Sequence, residues 1–227
     1  MGDLPRIFSL GDDCATVNFG NEISLELNSK AIGLATALNG TTFPGLVEAV
    51  PAYASVSVFF DPVVVRRAGI EHESAFETVS NLIVSTFNNL EREQIQIGRV
   101  VDISVDFGNE SALDLGRVAE FAGTSAADVI EIFTSKTYRV YMLGFLPGFA
   151  YMGQVDVRIA VPRRDTPRTS VPRGSVGIAG SQTGIYPFRS PGGWQIIGRT
   201  NEEMFSLNRD PNSLLQPGDV VRFVPMS

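Results

Sequence analysis

The sequence predicts an α+β N-terminal domain followed by a mainly β barrel domain, and three observations carry that prediction. Up to Leu90 the apolar pattern reads strand, strand, helix, strand, strand, helix, which closes a small α/β sandwich. The polar run EREQIQIG then reads as a crossing, so the boundary falls near Glu93 and the domains span 1–92 and 93–227. Beyond Tyr138 the apolar runs shorten to YRVYML, RIAVP, SVGIAG, GIYPF, WQIIGR and VVRFVP, each bounded by Gly or Pro, the punctuation of a barrel or sandwich.

The first element is a hairpin, RIFSLG and ATVNFG, turned at Gly11-Asp12-Asp13. Ile23, Leu27, Leu34 and Leu38 follow at helical spacing, and Asn39-Gly40 supplies a stop, giving a helix over about 23–38. VEAVPAY and ASVSVFFD read as strands, the second alternating Val56, Val58 and Phe60 before Asp61-Pro62 closes it. Phe76, Val79, Leu82, Ile83 and Phe87 form the stripe of a helix from Ser74 to Leu90, with Glu73 near its start. The second domain opens on VVDISVDFG, whose Val101, Ile103, Val105 and Phe107 alternate with Asp102, Ser104 and Asp106. LDLGRVAEFAG, stopped by Gly123, and SAADVIEIF, capped by Ser125 with Asp128 three residues on, read as a helical hairpin.

Composition narrows the chemistry. With 227 residues, 44% of them hydrophobic and 19% charged, the chain reads as globular, and no apolar stretch approaches the ~20 residues of a membrane span. MGDLPRIFSLGDD has neither the basic start nor the apolar run of a signal peptide, so no membrane attachment and a cytoplasmic location are expected. Cys14, the one cysteine, cannot form an internal disulfide and reads as a small buried side chain. The acidic balance, formally −7, argues against nucleic acid as a partner. His72, the only histidine, has no Cys/His companions for a metal site, and it lies in the other domain from Ser175, Ser181 and Ser190, which argues against a serine–histidine couple. Catalytic residues are not identifiable from these patterns.

What stands out is a positive island. Seven arginines against one acid, Asp165, lie between Arg158 and Arg199. A guanidinium is a planar fork of donors matched to carboxylate or phosphoryl oxygens, so Arg163, Arg164, Arg168 and Arg173 are candidates for an anion site, with Gln182, Thr183, Tyr186 and Ser190 as neutral hydrogen-bonding groups. As exposed side chains the arginines would add little to folding. GFLPGFAYMG lacks the GK[ST] ending of a phosphate-binding loop and carries bulky Phe145 and Phe149 between its glycines, so a packed aromatic turn is the stronger reading. Phe145, Gly148, Phe149, Tyr151, Gly192, Gly193 and Trp194 are the loop or interface candidates, with Trp194, on an expected strand, read as a structural anchor.

These same stretches, GFLPGFAYMG, PRRDTPRTSVPRGSVGIAG, QTGIYPFRSPGGWQIIGRT and the ending PGDVVRF, resemble the B subunit of bacterial 5-oxoprolinase, a family also labelled allophanate hydrolase subunit 1 and Kip-type histidine-kinase inhibitor. GDDCATVNFG and YASVSVFFDP carry the resemblance into the first domain, and LDLGRVAEFAG extends it within the second. It implies a cyclophilin-like barrel behind the small α/β domain, and a partner, the C subunit, homologous to the other half of a carboxyltransferase domain in urea carboxylases. It implies further that the B and C subunits act with an A subunit to open 5-oxoproline to glutamate at the expense of ATP, with Mg, at the level of the complex and with no biotin on this chain. The chain departs from the family at Phe133, where members usually have histidine, and at Asp106, where they usually have cysteine. The resemblance also admits a binding module that inhibits a sensor histidine kinase, or a carboxyltransferase half-module of an allophanate or urea pathway. The isolated chain is expected to hydrolyse nothing.

Overall fold

The computed structural model describes residues 5–41, 43–68, 74–90 and 98–226. Its contacts gather into two compact units, Met1–Gln96 and Ile97–Ser227. His72, Glu73 and the EREQIQ stretch with Glu93 lie outside the described residues.

In the first unit β1 (Arg6–Ser9) and β2 (Cys14–Asn18) form the expected hairpin, Ile7 opposite Val17, turned at Gly11 with φ +77°. Helix α1 (Leu25–Gly40) starts two residues later than the spacing predicts, because the Ser24 hydroxyl caps it by accepting from the Leu27 N–H. It also runs through Asn39-Gly40: the Asn39 amide pairs with both backbone groups of Ala49 at 2.8 Å, bonding outward to the neighbouring strand. That strand is β3 (Leu46–Pro51), beside β4 (Ser55–Phe60), and the sheet order is β1-β2-β4-β3. A helix absent from the sequence reading, α2 (Pro62–Ala68), follows at once. Asp61 Oδ1 accepts from the N–H groups of Val63 and Val64, and Pro62 occupies the first turn, where its missing N–H costs nothing. Helix α3 (Ala75–Asn89) opens on a capping box between Ser74 and Glu77. Ala15, Val17, Val56 and Val58 on the sheet pack with Leu34, Leu38, Val79 and Ile83 of the helices in one buried cluster.

The second unit wraps a seven-stranded sheet. Strands β5 (Val100–Val105), β6 (Thr137–Leu143), β7 (Ala150–Gly153), β9 (Ser175–Ala179), β10 (Gln182–Ile185), β12 (Gln195–Arg199) and β13 (Val220–Pro225) pair in the order β12-β9-β10-β7-β6-β13-β5. The sheet nearly closes on itself, because its two end strands meet where Asp106 and Arg199 exchange backbone hydrogen bonds of 2.8 and 2.9 Å. Strands β8 (Arg168–Val171) and β11 (Ser190–Gly192) form a separate ribbon. Helices α4 (Leu115–Ala122), ended by Gly123 in the left-handed region, and α5 (Ala126–Thr134), with its Ser125–Asp128 capping box, sit where the sequence places them. Phe133 is fully buried, stacked on Phe223 at 4.8 Å and tilted against Tyr138 at 5.0 Å, and the Tyr138 hydroxyl donates to its carbonyl. In this chain that position is core.

Two expected strands differ. RIAVP forms no strand: its first two residues end a 3-10 turn, Val157–Ile159, and the rest is loop, because Asp156 turns the chain by accepting from the Arg158 backbone and guanidinium. Trp194 lies in the bend before β12 instead of on a strand.

Candidate functional site

The site is built where the loop 162–167 and the start of β8 lie against β12. Asp114, just before α4, is 3% exposed and joins the two. Its backbone N–H donates to the Ile196 carbonyl at 2.7 Å, and its Oδ2 accepts from the Ile196 N–H at 2.7 Å, so one residue answers both backbone groups on the open side of β12. Arg168 grips the same carboxylate with two contacts of 2.8 Å, and Arg164 adds one of 2.9 Å. Burial pushes the Asp114 carboxyl up. The Arg168 fork, the Ile196 N–H and the charges of both arginines outweigh it and hold the group below the usual carboxylate range.

Two arginines from the sequence-derived anion set are thereby engaged within the chain. Arg163, the residue before Arg164, is not. Its guanidinium lies 5.9 Å from the Trp194 ring centre, over the indole face, and among the described residues it meets no carboxylate. Its backbone is pinned on both sides: Gln195 Nε2 donates to the Pro162 carbonyl at 3.0 Å, and the Arg164 N–H donates to the Gly193 carbonyl at 2.7 Å. Two of the four buried polar atoms without a partner among the described residues, Arg164 Nε and Gln195 Oε1, belong to this same contact. Each costs about 1–3 kcal/mol, the kind of local rule-breaking that concentrates at functional sites.

Around Arg163 and Trp194 stands an aromatic cluster. Phe149 is its centre, edge-on to Tyr151 at 4.8 Å, to Tyr186 and Trp194 at 5.4 Å and to Phe145 at 5.5 Å. Burial pushes the Tyr151 and Tyr186 phenols up, against the Trp194 backbone hydrogen bond at Tyr186 and the charge of Arg163 at both, so both stay protonated at neutral pH. Gly192 lies against Tyr186, where an added Cβ would meet the ring at 2.8 Å. The GFLPGF turn is packed, as its bulky residues predict: a Cβ on Gly148 would lie 2.7 Å from Phe205 Cβ and 2.9 Å from the Met204 carbonyl. Phe145, at φ +64° and 59% exposed, carries the cluster to the surface.

The remaining candidates are dispersed. Thr183 is fully buried and donates across the barrel wall to the Gly177 carbonyl at 2.9 Å. The Ser190 hydroxyl donates to the Pro191 carbonyl, Gln182 opens β10, and Arg173 stands exposed in the turn before β9, where its carbonyl accepts from Arg199 Nε. Sequence reasoning missed Asp114 and Gln195. A lone acid in an apolar setting, as in ALDLG, was the one local signal for Asp114.

Residues 5–215 match the family described as carboxyltransferase domain, subdomain C and D. The chain is 41% identical to the 5-oxoprolinase B subunit of Bacillus subtilis (strain 168), over 98% of this chain and 93% of that one. It is 37% identical to the 5-oxoprolinase B subunit of Escherichia coli O157:H7, over 97% and 95%. Among solved structures, TTHA0988 superposes with a TM-score of 0.81 at 36% identity, covering 94% of this chain but only 40% of the longer one.

Proposed function

From the premise that the chain belongs to the carboxyltransferase domain family, subdomain C and D, we propose that it is the B subunit of a 5-oxoprolinase-type complex, acting with C and A subunits to open 5-oxoproline to glutamate at the expense of ATP. The observation that carries this reading is full-length likeness: 41% identity over 98% of this chain and 93% of a protein named as the B subunit of 5-oxoprolinase. In this reading the chain binds and orients substrate. A carboxylate docks on a guanidinium, phenol hydroxyls supply neutral donors, and the aromatic cluster excludes water so that each contact is stronger than in bulk solvent. ATP supplies the driving force for opening a stable amide. The GFLPGF turn does not fit a phosphate cradle, since Gly148 is closed off by Met204 and Phe205, and in this reading ATP acts at the level of the complex.

The test is reconstitution. Purified chain with 5-oxoproline, ATP and Mg should release no glutamate, whereas adding C and A subunits should start release. Turnover by the chain alone, or none from the full set, would refute the proposed role.

A further inference from the structure

We infer that Arg163, held over Trp194 and flanked by Tyr151 and Tyr186, is the binding site for the carboxylate of a small planar acid, and that Asp114 is a positioning residue for it. The inference rests on the proposed hydrolase reading only for the identity of the acid. The site itself follows from which guanidiniums are engaged. Arg164 and Arg168 direct their donors to Asp114, and Arg158 directs its own to Asp156. Arg163 sits near the start of the same loop with its side chain exposed and no carboxylate against it among the described residues. Its guanidinium carbon stands over the indole at 5.9 Å, and with no carboxylate of the described residues against it the N–H donors are open to a ligand. A single fork with neutral hydroxyls beside it matches one singly charged, planar carboxylate; a doubly charged phosphoryl group would call for more cations than the loop has free.

Asp114 fixes where that fork stands. It ties Arg164 and Arg168 to Ile196, while Gln195 holds Pro162 and Gly193 holds the Arg164 N–H. Arg163 therefore hangs from a short span anchored at both ends to Gly193 and Gln195, the residues on either side of Trp194. Removing the carboxylate frees two neighbouring cations to compete for the same anion and loosens the span, so the guanidinium drifts from the ring.

Trp194 is the only tryptophan of the chain, so its fluorescence reports this site alone. Titrating the full-length chain with sodium L-5-oxoproline, and separately with the uncharged carboxamide of the same ring, at constant ionic strength, is the direct test. The acid should change Trp194 emission saturably, and the amide should not. Arg163→Gln should weaken the acid's binding about tenfold or more with the melting temperature unchanged. Asp114→Asn should weaken it by a similar factor and shift Trp194 emission in the ligand-free protein, read well below that variant's own melting midpoint. No response to the acid, equal response to the amide, or an Arg163→Gln titration like the parent's would overturn the site. An Asp114→Asn protein that melts lower but titrates normally, with parental emission, would remove its positioning role. If the acid binds while the reconstituted complex releases no glutamate, the hydrolase reading falls and the site stands. If an Arg163→Gln complex turns over like the parent, the site falls and that reading stands.

Discussion

The Arg222 fork on Asp102 and the Arg168 fork on Asp114 have nearly the same geometry, with contacts of 2.9 and 2.6 Å in the first and 2.8 Å twice in the second. Their surroundings differ. Asp102 and Arg222 are each about half exposed, at 50% and 55%, whereas the Asp114 side chain is 3% exposed and its arginines 22% and 27%. Water screens the first pair and supplies alternative partners to both ions if either is removed. At Asp114 no such substitute exists. An ion pair of given geometry is a surface ornament or a structural joint according to what else could solvate its members.

Three substitutions probe this contrast, in descending order of effect. Asp114→Ala leaves two cations facing each other and strands the Ile196 N–H, so it should cost about 3–5 kcal/mol and lower the melting temperature by roughly ten degrees or more. Calorimetry showing an unchanged midpoint would mean that water reaches the joint. Arg168→Lys keeps the charge but replaces two parallel contacts by one, which should cost about 1.5–3 kcal/mol in a denaturant titration. A smaller loss would show that Arg164 can take over the vacated oxygen. Arg222→Ala should leave the melting temperature within error, since its partner stays hydrated. A clear drop there would break the comparison, because exposure would no longer separate the two forks.

The sequence expectation that the clustered arginines contribute little to folding therefore divides within the cluster. It suits Arg163 and Arg173, both exposed, and does not suit Arg164 and Arg168. The division was hidden because the acid that decides it lies 50 and 54 residues upstream of its arginines and 82 from Ile196, separations that only the folded topology brings together. What was legible was local. Gly123 and Ser125 mark helix ends through their own backbone and side-chain chemistry, and the alternation of Val101, Ile103 and Val105 marks one buried face of a strand. Helix α2 was legible in the same way from Asp61-Pro62, which starts a helix as readily as it ends a strand. RIAVP misled because its apolar spacing is indifferent to the Asp156–Arg158 contact that bends it. Trp194 was recognised as an anchor, yet its pairing with Arg163 depends on a loop far upstream in the chain.

The near-closure of the seven-stranded sheet has a consequence for how anything can attach to this unit. Asp106 meets the backbone of Arg199, and Asp114 answers both backbone groups of Ile196, so the free flank of β12 is already satisfied by two acids of its own chain. A foreign strand finds no ladder to extend there. Neither a binding partner nor a misfolded neighbour can join by adding to the sheet at these residues. Recognition on this flank falls to side chains and loops, whose specificity resides in shape and charge, whereas a backbone ladder would accept almost any sequence.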